Sequence, residues 1–359
     1  MKLYPGSCFH VAPVAALLLG VLLGGCSNDD PEKGTGQIAL RVCQEDADGG
    51  VSADVSVSDA EGQPVDLAVA NPTFLVEQSV NGGDWEPIQQ VDADFQGPHR
   101  MDVMVVADNS GSQLEELELV REAIDAFARK LLVGSATDRV GLVRVSTVAT
   151  VAQELTDDEA TFDDALGDLF VTNGWTALWD GVRLANEQLA ATPLPVEPAG
   201  GQARFCADRT HRAIVAFTDG RENNSADQHE SRYGGDGIDT TFDDLTSLAI
   251  NGIRTPVHWV GVGERADAAE LEAMADATGA RYVSVDHANG LHGALTSTAA
   301  RLRSQVPICF ELESCGHVDL RLTVEFDLDG ERHSLTEPSW LSVDCSCKGH
   351  NVRCELSDG

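Results

Sequence analysis

The chain has 359 residues, 42% of them hydrophobic, which is enough apolar material for more than one core. Its formal charge is −35, from 24 basic and 59 acidic residues. Such acidity argues against nucleic acid as a partner, which needs a basic patch, and favours cations and basic groups.

The first residues read as an export segment. Lys2 is the only Lys or Arg before residue 33, and an apolar run over 11–23, broken at Pro13, follows it. The run is short for a spanning helix and has the form of a secretory signal. It ends Leu23-Gly24-Gly25-Cys26-Ser27, which resembles the lipobox of bacterial lipoproteins. The resemblance implies a signal peptide over 1–25, cleavage before Cys26 and lipidation of Cys26. Several acyl chains on one residue anchor a protein to a bilayer where a single chain cannot. By the same analogy Ser27, rather than Asp, suits an outer membrane or cell surface where the organism has an outer membrane. An ordinary signal peptide with a chance cysteine is the alternative. Residues 26–36, polar and rich in Gly, Pro and charge, read as a tether.

From residue 37 to 98 the pattern is short and alternating, as in 38–42 and 51–57, with turns at 46–50 and 81–83. This predicts a small N-terminal β segment. At residue 101 the period changes. A continuous apolar strand over 103–107 is followed by a helix with Leu114, Leu117, Val120, Ile124, Phe127 and Leu131 at three- and four-residue steps. Strands over 140–145 and 148–155, helices over 158–169 and 176–190, and a Pro- and Gly-rich loop over 192–209 come next. A strand at 213–217, a long acidic loop over 221–242, a strand at 256–262, a helix at 266–277, a strand at 281–285 and a helix at 290–304 complete the region. Alternating strands and helices over 99–306 predict an α/β domain with a mostly parallel sheet covered on both faces. After residue 306 the β pattern returns, as in 320–326, and Asp327-Leu328-Asp329-Gly330 reads as a hairpin turn rather than a calcium loop.

Seven cysteines follow Cys26: Cys43, Cys206, Cys309, Cys315, Cys345, Cys347 and Cys354. In an exported protein they are disulfide candidates, and an odd number leaves at least one unpaired or used between chains. Five lie after residue 305, so 307–359 reads as a Cys-rich, stapled β segment. A zinc site around Cys345, Cys347 and Cys354 lacks the paired C-x-x-C knuckles. Connectivity stays open, but the β segments over 37–98 and 307–359 are candidates for one sandwich with the α/β region inserted, since Cys43 and the late cysteines could then be neighbours.

The chemistry gathers at predicted strand ends. Asp108-Asn109-Ser110-Gly111-Ser112 follows the strand at 103–107, and its carboxylate and two hydroxyls form a hard-oxygen set suited to Mg²⁺, Mn²⁺ or Ca²⁺. Asp219 follows the strand at 213–217, and Thr176 lies in the turn Asn173-Gly174-Trp175-Thr176-Ala177-Leu178. In open α/β sheets ligands bind beyond the carboxyl ends of strands. Asp108, Ser110 and Ser112, then Thr176 in G-x-T-x-L, then Asp219 in T-D-G, resemble a von Willebrand factor A (vWA) domain and its metal-ion-dependent adhesion site. The resemblance spans about residues 99–306. It implies a Rossmann-like fold in which Ser110, Ser112 and Thr176 give hydroxyl oxygens to a divalent cation, Mg²⁺ first and Mn²⁺ or Ca²⁺ as alternatives. Asp108 and Asp219 would act mainly through bound water, and a protein partner would present an acidic side chain to the open position. The loops over 192–209 and 221–242 depart from the minimal domain. Local capping and turn roles are the plain alternative for these residue types.

These features lead to the expectation of a lipid-anchored, partner-binding protein that is not an enzyme. An envelope assembly subunit whose metal site only stabilises it is the second reading. A serine hydrolase using Ser110 or Ser112 with His211, His229 or His258 is the third, and no G-x-S-x-G elbow supports it.

Overall fold

The computed structural model describes residues 37–45, 50–59, 63–93, 100–110, 117–133, 135, 137–170, 174–192, 210–225, 239–250, 253–312 and 316–343. The segment 1–36 with Cys26, and Ser112, Cys206, His229, Cys315, Cys345, Cys347 and Cys354, lie outside them. For Cys43 and Cys309 only the backbone position is described. Among the described residues no helix is long and apolar enough to cross a membrane.

The first alternating region gives β1 (Gln37–Glu45), β2 (Gly50–Ser58), β3 (Thr73–Val80), β4 (Glu86–Pro87) and β5 (Val91–Ala93). Then β6 (Met101–Asp108) begins a second sheet, followed by α1 (Leu117–Leu132), β7 (Arg139–Val145), β8 (Ala149–Thr156), α2 (Glu159–Gly167) and α3 (Leu178–Ala191). After β9 (His211–Thr218) come α4 (Phe242–Thr246) and a small hairpin of β10 (Ala249–Ile250) and β11 (Ile253–Arg254). The domain closes with β12 (Val257–Val262), α5 (Ala268–Ala277), β13 (Tyr282–Val285) and α6 (Leu291–Arg303). The chain then returns to antiparallel strands in β14 (Val306–Glu311), β15 (Gly316–Leu328) and β16 (Glu331–Val343).

The central sheet has the order β13-β12-β9-β6-β7-β8. All neighbours are parallel except the β7–β8 pair. β6 lies in its middle and is buried at all eight positions. Its odd residues Met101, Val103, Val105 and Ala107 pack with α1, α2 and α6 in one core. Its even residues Met104 and Val106 pack with α3 and α5 in another. A strand with apolar neighbours on both faces must be apolar throughout, which is why this segment reads as an unbroken run. This is the α/β, Rossmann-like architecture expected from the sequence.

The chain leaves β6 toward β7 and β8, then crosses back to β9 on the opposite side of β6. The direction of winding therefore reverses between β6 and β9. A crevice forms at such a switch point because the adjacent connections diverge to opposite faces. Asp108 ends β6 and Thr218-Asp219 ends β9, so both acids stand at that reversal.

The two β regions that flank this domain pair with each other. β14 is hydrogen-bonded to β2 (Val306 opposite Val55) and β15 to β3 (Leu322 opposite Val76). The result is two four-stranded sheets, β1-β2-β14-β5 and β16-β15-β3-β4. They share a core that includes Val55, Val57, Leu67, Val76, Ile308, Leu320, Leu322 and Phe326. The alternation along β15 explains its seating: Val318, Leu320, Leu322, Val324 and Phe326 are buried, while the residues between them face outward to varying degrees. The β15–β16 hairpin turns on two residues, Asp329 (φ 54°) and Gly330 (φ 83°). That positive pair suits the right-handed twist of the strands and accounts for the Asp-Gly dipeptide.

Candidate functional site

The site is built where β6 and β9 stop. Asp108 is buried, and its two oxygens are held separately: Oδ1 accepts from the Ser110 amide at 2.9 Å and Oδ2 from the Thr218 hydroxyl at 2.7 Å. Thr218 Oγ1 in turn accepts from the Gly220 amide at 3.0 Å. Asn109 fixes the turn, its amide donating to the Val145 carbonyl at 2.9 Å and its Nδ2 to the Phe170 carbonyl at 2.6 Å. Burial pushes the Asp108 carboxyl up to about 6, against the lowering effect of the Thr218 and Ser110 bonds and with a further upward push from the charge of Asp219. Two carboxylates brought together away from water favour a proton or a cation between them.

Thr176 arrives from the α2–α3 loop and is also buried. Its backbone is clamped on both sides by Asn223: the Thr176 amide donates to Asn223 Oδ1 at 2.8 Å, and the Asn223 amide donates to the Thr176 carbonyl at 3.1 Å. Glu222 completes the clamp. Its Oε2 accepts from the amides of Leu178 at 2.5 Å and Trp179 at 3.1 Å, and from the Ser225 hydroxyl at 2.7 Å. Its Oε1 accepts from the amides of Asn224 at 2.6 Å and Ser225 at 2.7 Å. The first amides of α3 are thus capped by a distant carboxylate rather than by a neighbouring side chain. Thr176 therefore precedes the helix instead of beginning it, which corrects the expected helix start at 176.

Two glycines permit this packing. A Cβ on Gly174 would lie 2.2 Å from Thr147 Oγ1, the atom that accepts from the Trp175 amide at 3.2 Å. A Cβ on Gly181 would lie 2.3 Å from Val145 Cγ2, so only glycine lets α3 settle this close to the sheet below the site.

Ser110 and Thr176 line one cavity of about 570 Å³, together with Trp175, Arg221, Asn223 and Arg265. Asp219 is buried at the same edge, and its Oδ2 accepts from Arg265 Nη2 at 2.7 Å. The donors gathered here are two carboxylates and two hydroxyls, a set whose hardness fits a small divalent cation. Among the described residues no cluster of three or more His, Cys, Asp or Glu side chains is placed to hold a metal. Ser112, the fifth residue expected, lies outside the described residues.

The von Willebrand factor type A domain model matches residues 102–297. The chain belongs to the von Willebrand factor type A domain family. Domains of this family typically mediate protein–protein interactions and commonly bind a divalent cation at the adhesion site. Solved structures similar to the chain include proximal thread matrix protein 1 of the mussel byssus, at 16% identity with a TM-score of 0.42. That match covers 57% of this chain and 48% of the mussel protein, so the chain spans about half of that relative's length. Another crystal structure of the mussel protein has zinc in its MIDAS motif. A von Willebrand factor type A protein from Catenulispora acidiphila matches at 12% identity, covering 89% of this chain and 76% of that one, with a TM-score of 0.44. The conserved hypothetical protein BatB from Bacteroides thetaiotaomicron matches at 17% identity over 56% of this chain and 98% of its own, with a TM-score of 0.40. No curated protein matches the chain by sequence.

The vWA frame brings Asp108, Ser110, Thr176 and Asp219 to one sheet edge. It separates them from His211 and His258. His211 starts β9, seven residues before Thr218 and therefore about 23 Å away along the strand. It is buried at the opposite end, with Nδ1 3.4 Å from Asp54 Oδ2 of β2. His258 is buried near the start of β12. Neither is placed to take a proton from Ser110. The residues that sequence reasoning missed are Thr218, Glu222, Asn223 and Arg265. The run Glu222-Asn223-Asn224-Ser225 directly after T-D-G was the available signal, since acids and amides beside a sheet-edge aspartate are suited to binding loop amides.

Proposed function

We propose that this chain binds a protein partner through a divalent cation, Mg²⁺ first, held by the hydroxyls of Ser110, Ser112 and Thr176 with Asp108 and Asp219 behind them. The observation that carries the reading is the convergence of Asp108, Ser110, Thr176 and Asp219 on the switch point between β6 and β9. When bound there, the cation supplies an open coordination position that an acidic side chain can fill. The protein supplies fixed oxygens. Thr218 and the Ser110 amide set the Asp108 carboxylate, and Asn223 and Glu222 set Thr176. Hydroxyl donors carry no charge, so a cation held by them keeps attraction for an anionic partner. The role is recognition rather than turnover, in keeping with the distance of His211 from Ser110.

Cys26 is proposed as the lipidated residue that anchors the chain to a membrane, with the site displayed outward from an outer membrane or cell surface. Gln37 lies eleven positions after Cys26, a reach of at most about 40 Å. The experiment is capture of envelope proteins on the purified chain in Mg²⁺ and in EDTA, with Asp108→Ala as control. Partner retained in Mg²⁺ and lost in both other arms supports recognition through the cation. Equal capture in all three arms favours an assembly subunit with a stabilising site. Cys26→Ser should release the protein from the membrane fraction, and retention would remove the anchor from the proposal.

A further inference from the structure

Arg265 is the feature that the metal reading leaves unused. Its guanidinium bonds buried Asp219 through one Nη2 contact at 2.7 Å, yet 69% of the side chain is exposed. Asp219 is its bonded partner among the described residues. One contact engages a small part of a planar fork that carries five N–H donors. The residue is also set rigidly. Gly263, at φ 72°, turns the chain out of β12 and donates to the Val285 carbonyl at 2.8 Å. Ala266 is buried, and Asp267 caps α5 by accepting from the Glu270 amide. Arg265 therefore stands on a short, pinned turn at the rim of the cavity that contains Ser110 and Thr176.

Its charged neighbours are otherwise engaged or opposite in sign. Arg221 shares the rim but lies 3.8 Å from Asp267. Glu264 is exposed on the same cavity and disfavours an acid placed on its side. In a chain of net charge −35, a second cation beside the metal position is the local exception that an anionic partner needs.

We propose that Arg265 reads a second acidic group of the partner. One carboxylate goes to the cation position, and a neighbouring carboxylate of the same segment goes to the exposed side of the guanidinium. The inference rests on the metal-dependent reading above. Because Asp219 is common to both positions, they are close together. Side chains two residues apart on an extended segment, about 7 Å apart on one face, suit that separation. Guanidinium is the appropriate group because its fork pairs with carboxylate in a defined geometry.

The test uses the intact chain in Mg²⁺ and two Gly/Ser peptides, one with a single Asp and one with two Asp two positions apart. Binding is measured by titration, and Mg²⁺ affinity is measured separately without peptide. The wild type should prefer the paired peptide by about tenfold, the effect of one charge-assisted pair. Arg265→Gln should abolish that preference while leaving binding of the single-Asp peptide, at Mg²⁺ saturating for each protein, within about threefold, less than half a decade in affinity. If Arg265→Gln weakens both peptides by the same factor at saturating Mg²⁺, Arg265 only balances Asp219 and the inference fails. If the wild type binds both peptides equally in Mg²⁺ and neither in EDTA, the inference fails and the metal-dependent reading stands. If neither peptide binds, or EDTA has no effect, both fail.

Discussion

Replacing Asp108 with Asn should stabilise the metal-free protein at neutral pH. The carboxyl is raised from the ordinary aspartate range to about 6, mainly by burial. A shift of about two units corresponds to roughly 3 kcal/mol by which the folded state disfavours the ionised form. The folded state holds this proton more tightly than the unfolded chain. Its stabilising effect is therefore complete below about pH 4 and is lost as pH rises through 6. Asn is neutral at every pH and can keep the bonds to the Ser110 amide and to Thr218. Its Oδ1 can accept from the Ser110 amide, and its Nδ2 can donate to Thr218 Oγ1, which then turns its proton toward the Gly220 carbonyl 3.1 Å away. Allowing for imperfect geometry, a gain of about 2 kcal/mol at pH 7.5 is expected, or about 5 °C in Tm. Thermal and urea unfolding in EDTA at pH 7.5 and 5.0 measure it. The gain should fall to about half at pH 5.0, where the folded wild type carries the proton but the unfolded chain does not. A variant less stable than wild type at pH 7.5, or a gain of equal size at both pH values, would refute the argument. Added Mg²⁺ should reverse the order at pH 7.5, because a ligand at a hundred times its Kd adds about 2.7 kcal/mol to the form that binds it.

Three further outcomes follow from the same geometry. Mg²⁺ affinity measured by calorimetry should fall as pH drops below about 6, since the proton on Asp108 competes with the cation; a flat profile between pH 7.5 and 5.0 would contradict this. Glu222→Ala removes the acceptor for four backbone amides and the Ser225 hydroxyl, and should cost about 2–3 kcal/mol, with water replacing part of the loss. It should also weaken Mg²⁺ binding about tenfold by loosening Thr176, which titration and denaturant unfolding would show together. Arg303→Ala leaves buried Asp138 without its 2.9 Å guanidinium partner and frees the end of α6 from the Lys130 and Leu131 carbonyls. With Arg303 about one-third exposed, the expected loss is about 2 kcal/mol in urea unfolding.

The parts of this fold that were legible from sequence are the ones whose signal is local. The apolar run of β6, the helical spacing of Val120, Ile124, Phe127 and Leu131, and the alternation along β15 each state their burial within one element. The site residues Asp108, Ser110, Thr176 and Asp219 were legible as a family pattern, and their meeting depends on the crossing between β6 and β9. What was not legible is which strand of one flanking β segment pairs with which strand of the other. Nothing in 50–58 or 306–311 specifies that β2 and β14 are neighbours, because each is a short apolar run with many possible partners. Glu222 likewise reads as one acid in an acidic loop. Its function appears only when the amides of Leu178 and Trp179 are brought to it. Arg265 follows a strand without any motif, so its place on the rim came from the structure alone.

The insertion of the vWA domain between β5 and β14 has a consequence for the order in which the chain folds. β2 and β14 are separated by roughly 250 residues, and joining the ends of so long a flexible loop costs about 5 kcal/mol before any sheet contact forms. Once the vWA domain is folded, that separation no longer matters. Asp138 accepts from the Met101 amide at the start of β6 and from Arg303 at the end of α6, so one buried carboxylate holds entry and exit together. β14 then begins three residues after Arg303, already delivered near the strands it must join. The expected sequence is therefore the inserted domain first and both sheets of the sandwich afterwards, with β2 and β3 left as unpaired edges until the last 50 or so residues are available.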